Sequence, residues 1–421
     1  MIQTIQLSPG VVLRHYPDKR FKTAVLSVQF LRPLCREEAA LNALLSAVLL
    51  RGTEKNPDMR SITARLDDLY GAHISPHMRR IGDIQTIGLF LSCLEDRFAL
   101  PGDRVLAPMV AFLGELLLDS PLKDGAFLPE FVEGEKKNLI ATIESELNDK
   151  RAYAMGRLLK TMCREDTFGL PRLGETEQVA AIQPDELYHH YCKILRESRI
   201  QIFYVGSAQP ETLRELLMPL VSKLGRSYVN LPAQTAFSDT EGSHISEEMD
   251  VSQGKLCMGF TTSITNRDKE FPAMQLMNTI FGAGMTSKLF MNVREKLSLC
   301  YNVGSGYYGT KGIVTVSAGI DFDKEQQTRE EILRQLTACQ EGRITPVELT
   351  AAKESVLSSL RSTHDTPGAI EGYYATAALS GMAMTPKQYM DALEAVTLEQ
   401  VAAAARTVRL HSSFFLKGVS Q

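Results

Sequence analysis

Long apolar runs are missing from this 421-residue chain. No stretch approaches the roughly 18 consecutive apolar residues that a membrane helix needs. The opening MIQTIQLSPGVVLRHYPDKR has no basic head followed by a long apolar segment, so no secretory signal is expected. The cysteines, at 35, 93, 163, 192, 257, 300 and 339, are scattered without a C-x-x-C pair. An odd, dispersed set reads as buried free thiols in a reducing compartment, and the expected location is the cytoplasm. Strong charge of either sign is also missing. The formal net charge is −4, and Lys and Arg are spread along the chain, so no nucleic-acid surface is expected. What the chain has is 44% hydrophobic and 23% charged residues, the composition of compact globules, with length for more than one domain.

Periodicity shows one order of elements twice. In the first half, TAVLSVQFL (23–31) alternates as a strand, Glu37 to Leu50 and Met59 to Leu69 have helical spacing, and IQTIGLFLSCL (84–94) is the next strand. Amphipathic stretches at 101–118 and 127–163 follow. IQPDELYHHYCKIL opens with the helix-start signal Pro184-Asp185, and IQIFYVG (200–206) is a buried strand. The second half replays this with KLCMGFTTSI (255–264), helical FPAMQLMNTIFG and SKLFMNVREKLSL, strands YNVGSGYY and IVTVSAGI, helical 327–340 and 346–361, and VTLEQVAAAARTV before SSFFLKG. The polar, acidic stretch LPAQTAFSDTEGSHISEEMD has no sustained period. The expected organisation is therefore an N-terminal domain over 1–230, a linker over 231–250 and a C-terminal domain over 251–421. Each half should be α+β, a mostly antiparallel sheet covered by helices.

Three segments carry a resemblance to a known family. GAGMTSKLFMNVREKLSLCYNVGSG is similar to the glycine turn, Ser-Arg/Lys-Leu-Phe and Arg-Glu-Lys of the pitrilysin/insulinase zinc peptidases, with a Tyr seven residues after the Arg. RLDDLYGAHISPHMRRIGDIQTIGLFLSC resembles the segment after that family's zinc helix. LPRLGETEQVAAIQPDELYHHYCKILRESRIQIFYVGS resembles the end of its first domain. The bacterial group the chain resembles is the noncatalytic peptidase-like protein associated with aminopentanol modification of elongation factor P, beside the noncatalytic subunit of processing peptidases. The resemblance implies a duplicated metallopeptidase-like α/β roll. It also implies that Arg294 and Tyr301 stand where catalytic relatives hydrogen-bond the substrate backbone, across the chamber from zinc.

The same resemblance shows what has been lost. Catalytic members carry H-x-x-E-H on a helix that ends about five residues before a Gly-Thr or Gly-Ser pair. With Arg51-Gly52-Thr53 as anchor, the two ligand histidines fall at Ala43 and Ala47, and the water-activating glutamate falls at Ser46. Anchoring on Glu135 and Ile143 puts the third ligand at Thr142. A methyl group has no electron pair for Zn²⁺, and a serine hydroxyl is a poor base. No metal, no catalytic residue and no cofactor are expected, and ALLSAVLLRGT should be a zinc helix refilled as hydrophobic core. Other histidines offer little. His73 and His77 lie around Gly71 and Pro76, where a continuous helix is not expected. His189 and His190 point about 100° apart on a helix. His244 and Glu247 sit in the linker. Glu144 and Glu146 flank the lost ligand and supply no histidine. FGAGMTSK lacks the order of a phosphate loop, and Ser287 is better read as a helix cap.

The leading expectation is a noncatalytic subunit that binds a peptide or unfolded segment through Arg294 and Tyr301. Its partner would be an H-x-x-E-H homologue in a heterodimer, or a second copy by self-association. A structural scaffold without peptide binding is the alternative, in which an Arg on a helix and a Tyr at a strand start simply pack together. An active hydrolase with unrecognised ligands is the third reading.

Overall fold

The computed structural model describes residues 2–224, 227–238 and 241–419. Its first half runs β1 (Gln3–Ser8), β2 (Val11–Pro17), β3 (Thr23–Pro33), α1 (Arg36–Val48), α2 (Met59–Asp68), β4 (His73–Ile81) and β5 (Ile84–Leu94). Then come α3 (Leu106–Leu118), the short hairpin β6 (Leu122–Lys123) and β7 (Ala126–Phe127), α4 (Pro129–Asn148), α5 (Lys150–Met162), α6 (Thr176–Ala181), α7 (Pro184–Glu197), β8 (Arg199–Gly206) and α8 (Pro210–Val221). The second half has β9 (His244–Met249), β10 (Gly254–Thr261), α9 (Phe271–Asn278), β11 (Cys300–Tyr308) and β12 (Ile313–Ile320). It closes with α10 (Glu325–Gln340), α11 (Pro346–Ser362), α12 (Pro367–Ser380), α13 (Pro386–Ala395), α14 (Leu398–Ala405) and β13 (Arg409–Gly418).

The fold is α+β, with two sheets that repeat one plan. The first has the order β1-β2-β8-β3-β5-β4 and the second β11-β12-β10-β13-β9. Pairing is antiparallel except for β2 with β8 and β9 with β13, which occupy corresponding places in the two sheets. β9 comes from the acidic stretch between the halves. Its residues HISEEM alternate between exposed and half-buried, as suits a charged edge strand that must not recruit another chain. Residues 239 and 240 of that stretch lie outside the described residues.

Two compact units emerge, and each takes in a segment from the other half of the chain. One comprises residues 1–144, 171–233 and 364–376; the other comprises 145–170, 234–363 and 377–421. In the first unit, Leu26, Val28 and Phe30 of β3 and Ile87, Leu89 and Leu91 of β5 pack with Leu44, Leu45 and Val48 of α1 in one large core. The opposite face of that sheet receives α12. Ile370 packs on Val25 and Val205, and the wholly buried Glu371 accepts hydrogen bonds from Ser27 (2.8 Å), Gln29 (2.6 Å) and Arg79 (2.9 Å). In the second unit α5 has the matching role. Ala154 and Leu158 pack on Cys257 of β10 and on Phe414 and Leu416 of β13.

The carboxylate at 371 is thus a polar bolt. Removing one side of a buried charged pair strands the other, so Glu371→Ala should lower stability by about 3 kcal/mol. Glu371→Gln, which keeps hydrogen-bonding capacity, should cost less. Urea denaturation followed by circular dichroism measures both, and an unchanged midpoint for the alanine variant would remove Glu371 as a structural anchor.

Candidate functional site

The helix that should carry zinc is α1, but it is not solid core. Leu44, Leu45 and Val48 are buried, whereas Ala43 and Ala47, four residues apart on one face, are half-exposed. Alanine ends at Cβ, so these positions leave the face open without filling it. The expectation of a completely refilled core is corrected there. Ser46 is buried, and its Oγ accepts the Gly88 N–H at 3.1 Å. Thr142 on α4 is exposed, and its hydroxyl donates to the Asn138 carbonyl at 2.9 Å. The exit loop after α1 is firmly built. The wholly buried Thr53 accepts the Asn56 N–H on its Oγ1, and Arg51 pairs with Glu135 at 3.3 Å.

The other histidines are dispersed. His73 and His77 lie on strand β4, four residues apart, where the extended rise separates them by about 13 Å. His73 is exposed, and His77 is buried with its Nε2 3.3 Å from Thr86 Oγ1. His189 is exposed, while His190 is buried against Asn42. His244 meets Ser413 and Glu325, and Glu247 is engaged by Arg157 and Tyr153. Glu144 and Glu146 are exposed. Among the described residues no group of three or more His, Cys, Asp or Glu side chains could hold a metal ion.

Behind α1 the first unit carries a buried polar cluster that sequence reading missed. Arg32 forks onto Glu38 through bonds of 2.9 and 2.7 Å, and Lys193 reaches the same carboxylate at 2.7 Å. Burial alone would raise the Glu38 pKa, but the hydrogen bonds from Arg32 and Lys193 outweigh it and hold the group at about 2. Asn42 gives its amide N–H to Gln85, so its oxygen faces His190, which must donate from Nε2. Burial keeps His190 neutral and lowers its pKa to about 4, against the opposing pull of Glu38.

Arg294 and Tyr301 come together around one hollow of about 370 Å³, with Ser298, Asp321 and Lys324 among its lining residues. Arg294 belongs to a π-helix, Leu289–Lys296, which follows a second π-helical turn at Thr279–Ala283. Such wide turns are rare and recur at functional sites. Ser287 accepts the Phe290 N–H at 3.3 Å and so caps the start of this helix. Ser298, at φ +49°, ends it. Leu289 and Val293 are buried, Lys288 pairs with Glu348 at 2.8 Å, and Arg294 is left on the outside. Its guanidinium sits 4.8 Å from the Phe290 ring centre and 3.6 Å from Glu295. Tyr301 occupies the register shift in β11 between Cys300 and Asn302, where an extra residue re-aims a side chain. It is 62% exposed, and its hydroxyl donates to Asp321 at 3.1 Å. Asp321 also pairs with Lys324 at 2.8 Å, and the bonds from Lys324 and Tyr301 lower its pKa.

An intact two-sheet peptidase-like plan with ligand-free residues at the zinc positions agrees with comparison to known proteins. The family described as the peptidase M16 inactive domain matches residues 181–356. Over that segment the chain resembles the peptidase M16 proteins. It is 29% identical to the probable inactive metalloprotease YmfF of Bacillus subtilis over 409 residues, covering 97% of this chain and 96% of that protein. A conserved protein from Enterococcus faecalis superposes with a TM-score of 0.94 at 28% identity, covering 100% of this chain and 99% of the other. A peptidase M16 inactive domain from Pseudomonas fluorescens shares the fold, with a TM-score of 0.80 at 18% identity and coverage of 100% and 98%. Two of these three similar proteins are described as inactive, and this sequence lacks H-x-x-E-H. No helix of the described residues is long and apolar enough to cross a membrane.

Proposed function

We propose that this chain is a noncatalytic cytoplasmic subunit that holds an extended peptide segment and completes the chamber of a zinc-bearing H-x-x-E-H partner. One observation carries the reading: the zinc positions have no ligands, while Arg294 and Tyr301 stay exposed around a common hollow. Arg offers several N–H donors and Tyr an O–H, which suit backbone carbonyls of any sequence.

The test pairs the chain with an H-x-x-E-H homologue from the same genome and follows complex formation by light scattering. Arg294→Ala should weaken peptide binding by the complex roughly tenfold to a hundredfold, the loss expected for a charged donor to a carbonyl, and Tyr301→Phe roughly twofold to tenfold, the loss expected for a neutral hydroxyl donor. Melting temperatures should stay nearly unchanged. Full peptide affinity in both variants would sink the reading.

The scaffold alternative is favoured by a specific contact. The Tyr301 hydroxyl is already engaged by Asp321. In that case Tyr301→Phe should lower the melting temperature and leave peptide affinity untouched.

A further inference from the structure

The second unit has a cleft of about 440 Å³ between α10 and the turn that leads from α14 into β13. It shares no lining residue with the hollow at Arg294 and Tyr301. From α10 it takes Leu333, Leu336, Thr337 and Gln340, whose i, i+3, i+4, i+7 spacing puts them on one helix face. Arg406, Val408, Arg409 and Leu410 line it from the other side. Leu336 and Val408 are buried and Leu333 and Leu410 half-buried, which makes the floor apolar. Thr337, Arg406 and Arg409 are exposed and form the rim. No Asp or Glu lines the cleft among the described residues.

Both arginines are held in place by backbone. Arg406 Nε donates to the Gln340 carbonyl at 3.0 Å, and Arg409 Nη1 donates to the carbonyls of Val408, at 3.0 Å, and of Arg406. Gln340 in turn donates from Nε2 to the carbonyls of Ala405 at 3.3 Å and Val408 at 3.1 Å. Arginines near helix ends commonly bond the last carbonyls, and that accounts for one nitrogen of each. The others, Nη1 and Nη2 of Arg406 and Nε and Nη2 of Arg409, make no hydrogen bond or ion pair among the described residues. Their neighbours differ: Arg334 pairs with Glu331, and Arg343 with Glu341. Two fixed guanidinium forks thus face a cleft that supplies them no carboxylate.

We propose that this cleft binds a small organic anion, an apolar body bearing a carboxylate or phosphate. The body lies on Leu333, Leu336, Val408 and Leu410, and Arg406 and Arg409 receive the oxyanion. A volume of this size, an apolar floor and a few fixed polar groups are what small-molecule sites have in common. Guanidinium forks suit carboxylate and phosphate oxygens alike. The site is independent of the peptide-binding reading above.

The experiment is isothermal titration calorimetry of the full chain at low salt, with octanoate as probe. Octanoate should bind at one site per chain. 1-Octanol, the tail without the charge, and inorganic phosphate, the charge without the tail, should each bind at least about tenfold more weakly. Octyl phosphate against octanoate ranks the two oxyanions, and either order supports the site. Arg406→Gln and Arg409→Gln should each weaken octanoate binding about tenfold, the loss of a charged donor. Thr337→Phe, which fills the cleft and leaves both guanidiniums in place, should abolish binding with the melting temperature unchanged. Binding that survives Thr337→Phe, or octanol or phosphate binding as tightly as octanoate, overturns the proposal. So does full octanoate affinity in both arginine variants, which with a lowered melting temperature would mark residues that only cap helix ends. Absence of binding by both octanoate and octyl phosphate overturns it as well. Should an arginine variant fail to fold, the octanol and Thr337→Phe arms still decide.

Discussion

Lowering the pH from 7 to 4.5 should cost the first unit about 5 kcal/mol of stability, and two buried histidines supply the loss. His190 is held at about 4 and His77 at about 3, in both cases chiefly because burial disfavours the charged ring; nearby cations, Arg79 for His77, act in the same sense. The native pKa values are depressed, so both rings are neutral in either state above about 6.5, and the stability is fully present there. As pH falls below 6.5 the unfolded chain takes up protons that the native chain refuses, at about 1.4 kcal/mol per pH unit for each histidine. Two histidines over two pH units give the figure above. Glu38 adds nothing in this window, because its contribution is lost only between its ordinary carboxylate range and about 2. Urea denaturation at pH 7 and 4.5, followed by circular dichroism, measures the difference. The double variant His77→Gln, His190→Gln should show a much flatter profile. An unchanged wild-type midpoint would mean that water reaches these rings and that they are not held neutral.

The strands that are legible in sequence are those buried on both faces. β3, β5, β8, β10 and β12 are nearly continuous apolar runs, and the structure leaves them almost entirely buried. β4 was hidden by Gly71 and Pro76, which argue against a helix but are compatible with an edge strand beginning at His73. β9 was hidden by its charge. The amphipathic run 127–163 breaks into two helices at Asp149, whose backbone leaves the helical region and whose carboxylate accepts the N–H groups of Arg151 and Ala152. Asn148-Asp149 is a readable cap signal in hindsight of its chemistry, because short polar side chains compete for backbone donors. The exchanged segments had no local signature at all. That Glu371 would find Ser27, Gln29 and Arg79 is a statement about contacts more than 290 residues apart, and periodicity carries no information at that range. The candidate residues Arg294 and Tyr301 were legible only through the resemblance of GAGMTSKLFMNVREKLSLCYNVGSG to the zinc peptidases. Asp321 and Lys324, which share their hollow, lie past β12 and were not.

Restoring zinc should need three substitutions and not four. Ala43 and Ala47 are half-exposed on one face of α1, so histidines there would have room without displacing core. Thr142 is exposed on α4, and a glutamate there would be solvated until metal arrived. Ser46 is different. It is 3% exposed, and its hydroxyl serves the Gly88 N–H. A glutamate at that position would bury a charge whose desolvation its single amide donor does not offset. It also stands in the place of the water-activating base rather than of a ligand, so metal affinity does not require it. The triple variant Ala43→His, Ala47→His, Thr142→Glu should therefore bind one zinc per chain. At a zinc concentration about 100 times the dissociation constant the metal should add about 2.7 kcal/mol of stability, visible as a melt that a chelator reverses. The unaltered chain should hold no stoichiometric zinc and melt at the same temperature with or without chelator. Single substitutions should behave like it, because one ligand cannot hold the ion against water. Hydrolysis should stay absent from the triple variant, since Ser46 still offers no base. A triple variant that folds and binds no zinc would show that α1 and α4 are out of register with the zinc helices of catalytic relatives. A chelator-sensitive melt in the unaltered chain would show that its metal chemistry was never lost.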